Sequence, residues 1–381
     1  MSSYERDFAS RFSAKVALPF WKARVALYAI LRSFGVGEGD EVILPGYTCV
    51  MDVNPIKYLG AKPVYVDIEP NTFNMNVDLL EEQITPQTKV IIAQHTYGYV
   101  CDMDAILDIS DKHNITVIED CCLCLGSTYR NKLAGTFGKA AYFSFQWNKP
   151  YTTGLGGMAV CHDDDLAESM VKLCERELIQ PSLKETAMLA AQLMVYRTFI
   201  YPRTTALAQS LFRWLTKKGV VVGSSSACEF EPTMADDFFK AMSRIQASSG
   251  LRQLKKIEQN ITHRKEMAKL YDEMLSEKGW ALCPHDSAVQ DPVMVRYPVR
   301  IRGKEKALAE AASAGVELGS WFECPLHPIE TPLASYDYTS GLCPEAEKAC
   351  REVVNLPLHL RAGEKTVRRS VEFITRFSQV T

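Results

Sequence analysis

Short apolar runs alternate with helix-like segments between residues 26 and 161, and this alternation limits the fold more than any other feature. The apolar runs predict strands over 41–44, 63–66, 90–93 and 116–118. The intervening segments predict helices over 26–34, 52–58, 77–84 and 102–113. Continuous apolar strands separated by helices predict an α/β fold whose helices cover both faces of the sheet.

Polar residues follow several of these predicted strands. Asp120, His95 and the loop 45–48 each lie just beyond an apolar run. Ligands of such sheets bind outside the carboxyl ends of the strands, where neighbouring parallel strands terminate together. The sequence therefore predicts a binding site at that edge.

The length of 381 residues exceeds that of an ordinary single domain, so two domains are expected. We assign residues 1–245 to a large α/β domain with a helical insertion at about 185–222. Residues 246–381 form a smaller C-terminal α+β domain in this prediction. A periodic apolar pattern predicts one long helix over 235–278 that leads into it.

The composition excludes several classes of function. A formal net charge of −3 gives no support for nucleic-acid binding, and the N-terminal residues contain no apolar core typical of a signal peptide. The apolar stretch 187–201 is too short and too interrupted to cross a bilayer. It predicts a helical hairpin, and contact with a membrane surface is a less favoured alternative.

Twelve cysteines do not form a disulfide framework. Cys121 and Cys124 make a C-x-x-C pattern, but no second pair of ligands follows at the spacing of a zinc site. We therefore expect buried thiols, no metal and a reducing, cytoplasmic environment.

The segment 143–157 places Lys149 between an aromatic run and a glycine-rich loop. Burial disfavours the charged form of an amine, and a neutral amine attacks carbonyl groups to form a Schiff base. A surface lysine in a loop is the commoner interpretation of an isolated lysine. Asp120 favours a reactive lysine over a surface lysine, because a pyridoxal phosphate enzyme needs both a lysine and an acid beside the ring nitrogen.

The chain resembles the DegT/StrS (DnrJ-like) sugar aminotransferases, which are fold-type-I enzymes of the aspartate aminotransferase type that use pyridoxal 5'-phosphate. Ordered matches carry the resemblance along nearly the whole chain: residues 35–42, 60–68, 84–86, 95–98, 117–120 and 143–157, with weaker matches at 297–300, 325–327 and 356–359. A large mixed-sheet α/β domain and a smaller α+β domain are the implied architecture.

The resemblance also implies roles for individual residues. Lys149 would bind the cofactor covalently and move a proton, Asp120 would pair with the pyridinium nitrogen, and Ser144 would donate to the phosphate. The loop 152–154 would line the mouth of the substrate site.

The chain departs from the family pattern around the cofactor. Ala23 and Arg24 stand where the family has a Gly-Thr pair at the phosphate, so Arg24 would supply charge there. Cys49 replaces the aromatic residue that stacks on the ring. Leu123 replaces the residue that contacts the ring hydroxyl, a contact that His95 would supply unless it is a structural histidine.

The implied activity is transfer of an amino group from an amino acid, with glutamate as the expected donor, to a nucleotide-linked keto sugar in two steps. A homodimer is implied. Two alternatives remain open. One is a sugar dehydratase, although such relatives typically carry histidine at the position of Lys149. The other is a non-catalytic member that binds cofactor or sugar and regulates.

Overall fold

The computed structural model describes residues 2–147, 149–197, 230–283, 287–329 and 333–380. Its strands are β1 (Val16–Phe20), β2 (Glu41–Pro45), β3 (Thr48–Cys49), β4 (Lys62–Val66), β5 (Thr88–Gln94), β6 (Thr116–Asp120), β7 (Thr128–Tyr129), β8 (Lys132–Leu133), β9 (Ala140–Ser144), β10 (Gly157–Cys161), β11 (Gln290–Asp291), β12 (Tyr297–Arg300), β13 (Leu326–His327) and β14 (Val353–Leu356). Its α-helices are α1 (Ser3–Arg11), α2 (Ala23–Ser33), α3 (Val50–Tyr58), α4 (Met103–His113), α5 (Asp164–Glu177), α6 (Leu183–Val195), α7 (Arg244–Leu254), α8 (Ile257–Glu277), α9 (Lys304–Ala311), α10 (Pro344–Glu352) and α11 (Glu364–Ile374).

A seven-stranded sheet with the order β1-β10-β9-β6-β5-β2-β4 lies at the centre of the fold. The five strands from β9 to β4 run parallel, and β10 runs antiparallel to both of its neighbours. The sheet is therefore mixed, and the predicted α/β class is confirmed. The predicted strands are correct in position, and each extends by one to three residues.

Alternate residues of each strand enter two different cores, one on each face of the sheet. Val42 and Ile118 belong to one apolar cluster, whereas Ile43 and Val117 belong to the other. Successive side chains of a strand point to opposite faces, so a strand covered on both sides must be apolar throughout. This explains why the sequence shows continuous apolar runs here.

Two predicted helices are wrong in detail. The long helix expected over 235–278 is two helices, α7 and α8, because Ser243 and Gln246 form a capping box that starts α7 and the chain breaks at Lys256. The break lets Ile261 pack tightly against Gly126. The segment 77–84 forms two short 3₁₀ turns, Val77–Leu79 and Glu81–Gln83.

The C-terminal part builds a smaller layer from β12 and β14, which pair antiparallel, and from α8 packed against α11. Helix α7 packs against α1, with Gly250 close to the ring of Tyr4. The division of the chain at residue 245 stays a prediction.

The predicted insertion is described only as far as Arg197. Helix α6 begins at a capping box of Ser182 and Glu185, and Leu189 and Leu193 pack against Trp147. The rest of the predicted hairpin lies outside the described residues. No helix in the described ranges has the length and apolar character that crossing a membrane requires.

The close contact between Gly98 and the C-terminal part generates a stability prediction. Gly98 has φ +119°, and a Cβ there would lie 2.5 Å from the Val293 carbonyl oxygen. We expect Gly98→Ala to lower the free energy of unfolding by about 3 kcal/mol or more, since backbone cannot yield cheaply. Gly39→Ala is the control, because Gly39 has φ +88° with nothing within 4 Å and should cost about 1 kcal/mol. Equal losses in urea unfolding would contradict the packing argument.

Candidate active site

Half-buried side chains interrupt an otherwise buried region at the carboxyl edge of the parallel strands, and we call this region the crevice. Residues 41–56, 115–127 and 140–147 are otherwise buried, yet each segment contains half-buried side chains. These side chains, together with Lys149 and Trp321, are Cys49, Asp52, Cys122, Ser144 and Gln146. Strands β2, β6 and β9 end at this edge, so the sheet brings these residues together as the sequence predicted for Asp120 and the loop 45–48.

Lys149 lies in a loop whose ends are fixed to each other. The backbone N–H of Phe145 donates to Gly156, and that of Thr153 donates to Phe145, both at 2.9 Å. The Lys149 amide donates to the carbonyl of Gln146 at 2.9 Å. These bonds close the loop around Lys149 and hold its half-buried side chain at the crevice.

Trp321 covers Lys149. The lysine Nζ lies 4.5 Å from the centre of the indole ring, a cation–π contact. The backbone N–H of Trp321 donates to the side-chain oxygen of Asn355 at 2.7 Å, and the backbone carbonyl of Trp321 accepts from the Tyr97 hydroxyl. The C-terminal part of the chain thus supplies one wall of the crevice. Sequence analysis missed Trp321, because no local pattern connects it with Lys149.

Asp120 is the last residue of β6 and is buried. The Cys122 N–H donates to one carboxylate oxygen at 2.8 Å. A carboxylate has about four lone-pair sites, so Asp120 keeps acceptor capacity for a further donor. Its register partner on β9 is Tyr142, whose side chain points to the same face of the sheet.

Asp52 is a second carboxyl group in the crevice that sequence analysis missed. It lies in the first turn of α3, and the Tyr142 hydroxyl donates to its Oδ1 at 3.0 Å. Burial raises the pKa of Asp52 to about 8, and the charge of Asp120 adds to the rise. Its position after a strand end on the same edge as Asp120 was a usable signal.

Ser144, Ala23 and Arg24 meet through a glycine contact. Ser144 pairs with Gly157 across the sheet, and a Cβ on Gly157 would lie 2.5 Å from the Ala23 backbone nitrogen. Only glycine lets the start of α2 approach the sheet this closely. The buried Arg24 follows in the first turn of the helix. A hydroxyl, a helix N-terminus and a guanidinium group are suited to a phosphate.

Two thiols, Cys49 and Cys122, lie in the crevice, and Cys49 is the one that stands where the resemblance implies an aromatic residue. Burial raises the pKa of Cys49 to about 12 and that of Cys122 well above its ordinary value. Both side chains are therefore neutral at physiological pH. Neutral, polarizable thiols offer packing surface to a ligand without charge.

The structure disagrees with the prediction that His95 contacts a cofactor hydroxyl. His95 is fully buried, its Nδ1 accepts from the Cys101 N–H at 3.2 Å, and its Nε2 lies 3.0 Å from Glu119. Because Nδ1 accepts, Nε2 carries the proton and donates to Glu119. Both ring nitrogens are thus engaged by the protein, and His95 has the structural role considered as the alternative.

Glu119 organises the loop behind the crevice. Its carboxylate accepts the backbone N–H groups of Gly135 and Phe137 at 2.7 Å and of Gly138 at 2.8 Å, besides His95. Burial alone would raise the pKa of Glu119, but the hydrogen bonds from His95 and the backbone lower it on balance.

Cys121, Cys124 and His95 lie together, with their possible ligand atoms within 4.8 Å of one another. All three side chains are buried, and burial raises the pKa of both thiols. The burial of Cys121 and Cys124 agrees with the buried thiols that the sequence predicted.

Comparisons with known proteins identify a family that the chain matches over most of its length. The model of the DegT/DnrJ/EryC1/StrS aminotransferase family matches residues 1–187 and 231–375. GDP-perosamine synthase of Caulobacter vibrioides is 32% identical over 97% of this chain and 87% of that protein. UDP-2-acetamido-2-deoxy-3-oxo-D-glucuronate aminotransferase of Pseudomonas aeruginosa is 30% identical over 94% and 85%. The proposed sugar aminotransferase Spr1654 from Streptococcus pneumoniae, in its PMP form, superposes with a TM-score of 0.74 at 26% identity, over 98% of this chain and 90% of that one.

The network at Glu119 generates a pH prediction. Glu119→Gln removes the charge and places an amide N–H against backbone donors, so we expect a loss of about 2–4 kcal/mol in unfolding free energy at pH 7. A lowered carboxyl pKa contributes stability above the unfolded value near 4.3, and that contribution is lost as the pH falls. Urea unfolding should therefore show the difference between wild type and variant shrinking below about pH 4.3. The exposed Glu82→Gln is the control, and a difference independent of pH would contradict the assignment.

Proposed function

The chain belongs to the DegT/DnrJ/EryC1/StrS aminotransferase family, and we propose that it transfers an amino group from glutamate to a keto sugar carried on a nucleotide. The observation that carries this proposal is that Lys149 and Asp120 lie around one carboxyl group at the carboxyl edge of the sheet, since the charges of both influence the pKa of Asp52. The nucleotide-linked sugars in the names of the two relatives support the substrate class.

The residues in the crevice fit pyridoxal phosphate, the cofactor of this family. The Asp120 carboxylate has acceptor capacity for a protonated ring nitrogen, and Ser144, the start of α2 and Arg24 complement a phosphate dianion. Lys149 offers the amine. When bound, the cofactor supplies an electron sink for the bond-breaking at the amino-bearing carbon.

Lys149, Asp120 and Trp321 would each have a separate role in the reaction. Lys149 Nζ would hold the cofactor and, once released, carry a proton to and from the substrate carbon. Asp120 would keep a proton on the ring nitrogen. Trp321 would exclude water from Lys149, because its ring lies directly against the amine.

We also propose a homodimer in a reducing, cytoplasmic compartment. The eleven cysteines in the described ranges are all free thiols, which supports the compartment. Of the two alternatives, the dehydratase is disfavoured by the presence of Lys149. Formation of a deoxy sugar in place of an amino sugar would decide for the dehydratase.

The role of Lys149 is tested by trapping the cofactor. After borohydride reduction of the holoenzyme, we expect the peptide that contains Lys149 to carry the cofactor mass, because reduction fixes the bond to the amine. Lys149→Arg should lose this modified peptide and the visible absorbance, whereas Lys139→Arg on the exposed surface should keep both. A modified peptide elsewhere in the chain would refute the assignment.

The substrate class is tested by separating the two half-reactions. We expect glutamate to convert the cofactor to its amine form, and mass spectrometry should then detect an amino sugar after addition of one member of a panel of nucleotide-linked keto sugars. Free keto sugars of the same configuration are the control. Amination of a free sugar, or of no panel member, would overturn the proposed acceptor.

A further inference from the structure

We propose that Asp52 is a second acid of the crevice, which gives its proton to the carbonyl oxygen of the acceptor during amine transfer. This inference rests on the proposed function. Asp52 lies in the first turn of α3 and is half-buried between Met51 and Val53, which are buried. The contact with Tyr142 places its carboxyl group beside the strand edge that carries Asp120.

One oxygen of Asp52 is positioned by the sheet. The Tyr142 hydroxyl donates to Oδ1 at 3.0 Å. Tyr142 lies in β9 directly beside Asp120 in β6, so its ring is fixed by the strand pairing. The same sheet face thus presents Asp120 and the tyrosine that orients Asp52.

The other oxygen of Asp52 receives no proton from Thr48. The Thr48 hydroxyl donates to the Gln94 side-chain oxygen at 2.6 Å, while the Gln94 amide donates to the Tyr47 carbonyl at 2.9 Å and to Thr96 at 3.0 Å. These bonds fix the orientation of the Gln94 amide, so its oxygen must accept and the single proton of Thr48 is used. The contact of 3.5 Å between Thr48 and Asp52 Oδ2 therefore does not stabilise an ionised carboxylate.

The charges around Asp52 come from several elements. Burial is the largest influence and raises its pKa to about 8, and Asp120 of β6 adds to the rise. Tyr142 of β9, Lys149 and Arg24 of α2 act in the opposite direction. The thiols of Cys49 and Cys122 also face this region and are neutral. A proton on Asp52 near neutral pH relieves the repulsion between the two carboxyl groups.

Such a proton is what amine transfer to a ketone needs. As the nitrogen lone pair forms the new C–N bond, the carbonyl π electrons move onto oxygen, which takes the proton from Asp52 Oδ2. The O–H bond of Asp52 breaks and its electron pair stays on the carboxylate. Tyr142 stabilises that carboxylate until it takes back the proton that the positively charged nitrogen of the new C–N bond releases, and the hydroxyl group on the former carbonyl carbon then leaves as water.

The experiment compares the two half-reactions in the holoenzyme. Asp52→Asn keeps the shape and an acceptor for Tyr142 but cannot donate an acidic proton. We expect both half-reactions to slow by about 10²–10⁴-fold, because the donor half-reaction releases its keto acid by the reverse of the same ketone–amine step, while cofactor binding stays within about 2-fold of wild type. Asp108→Asn on the exposed face of α4 is the matched control and should change neither. Half-reactions at the wild-type rate, or a loss that follows weaker cofactor binding, would overturn the proposal.

The pH profile adds a readout that a structural role would not move. An acid must be protonated to act, so the wild-type acceptor half-reaction should decline above about pH 8, and Asp52→Asn should lack this limb. Tyr142→Phe removes a donor that lowers the pKa of Asp52, so the limb should shift to higher pH. An unchanged limb in Asp52→Asn would overturn the proposal.

Infrared titration separates this proposal from the proposed function. In the absence of any acceptor, the infrared difference spectrum of wild type minus Asp52→Asn should show the carbonyl stretch of a protonated carboxyl group at pH 6. That band should disappear near pH 8. If that band is present but no nucleotide-linked keto sugar reacts, the proposed acceptor is wrong and Asp52 still carries its proton. If the band is absent, Asp52 is not the acid. Asp52→Ser provides a second subtraction should the asparagine variant fold poorly.

Discussion

The parallel pairing of β5, β6 and β9 is the constraint on which the rest of the site depends. Gln94 aligns with Asp120, and Asp120 aligns with Tyr142, so three side chains from distant sequence positions meet at one edge. The alternation along β6 adds a second effect. Asp120 points into the crevice, while the preceding Glu119 points to the opposite face and binds the backbone of residues 135–138. One dipeptide thus supplies an acid for the site and an anchor for the loop behind it.

The two carboxyl groups of the crevice, Asp120 and Asp52, have different hydrogen-bond donors. Asp120 accepts the Cys122 N–H, whereas Asp52 accepts from the Tyr142 hydroxyl. Two nearby carboxyl groups do not both ionise without cost, and burial together with the charge of Asp120 raises the pKa of Asp52. The surroundings of Asp52, and not its residue type, therefore set its raised pKa.

The sequence predicted those parts of the protein that depend on local pattern. Continuous apolar runs located the strands of the sheet, and their ends located Asp120 and the loop 45–48. The same reasoning failed where a tertiary contact decides the outcome. A helical period continues through Lys256, but α7 and α8 separate there so that Ile261 can pack against Gly126. His95 follows a strand as an active-site residue would, yet the protein engages both of its nitrogens.

Trp321 is the clearest case of a site residue that the local sequence pattern does not predict. It lies 172 residues after Lys149, and nothing near it in sequence suggests a binding site. Its place against the lysine depends on Asn355 and Tyr97, which come from β14 and from the turn after β5. Aromatic surface beside Lys149 is therefore provided by an element distant in sequence, through contacts between the N-terminal sheet and the C-terminal part.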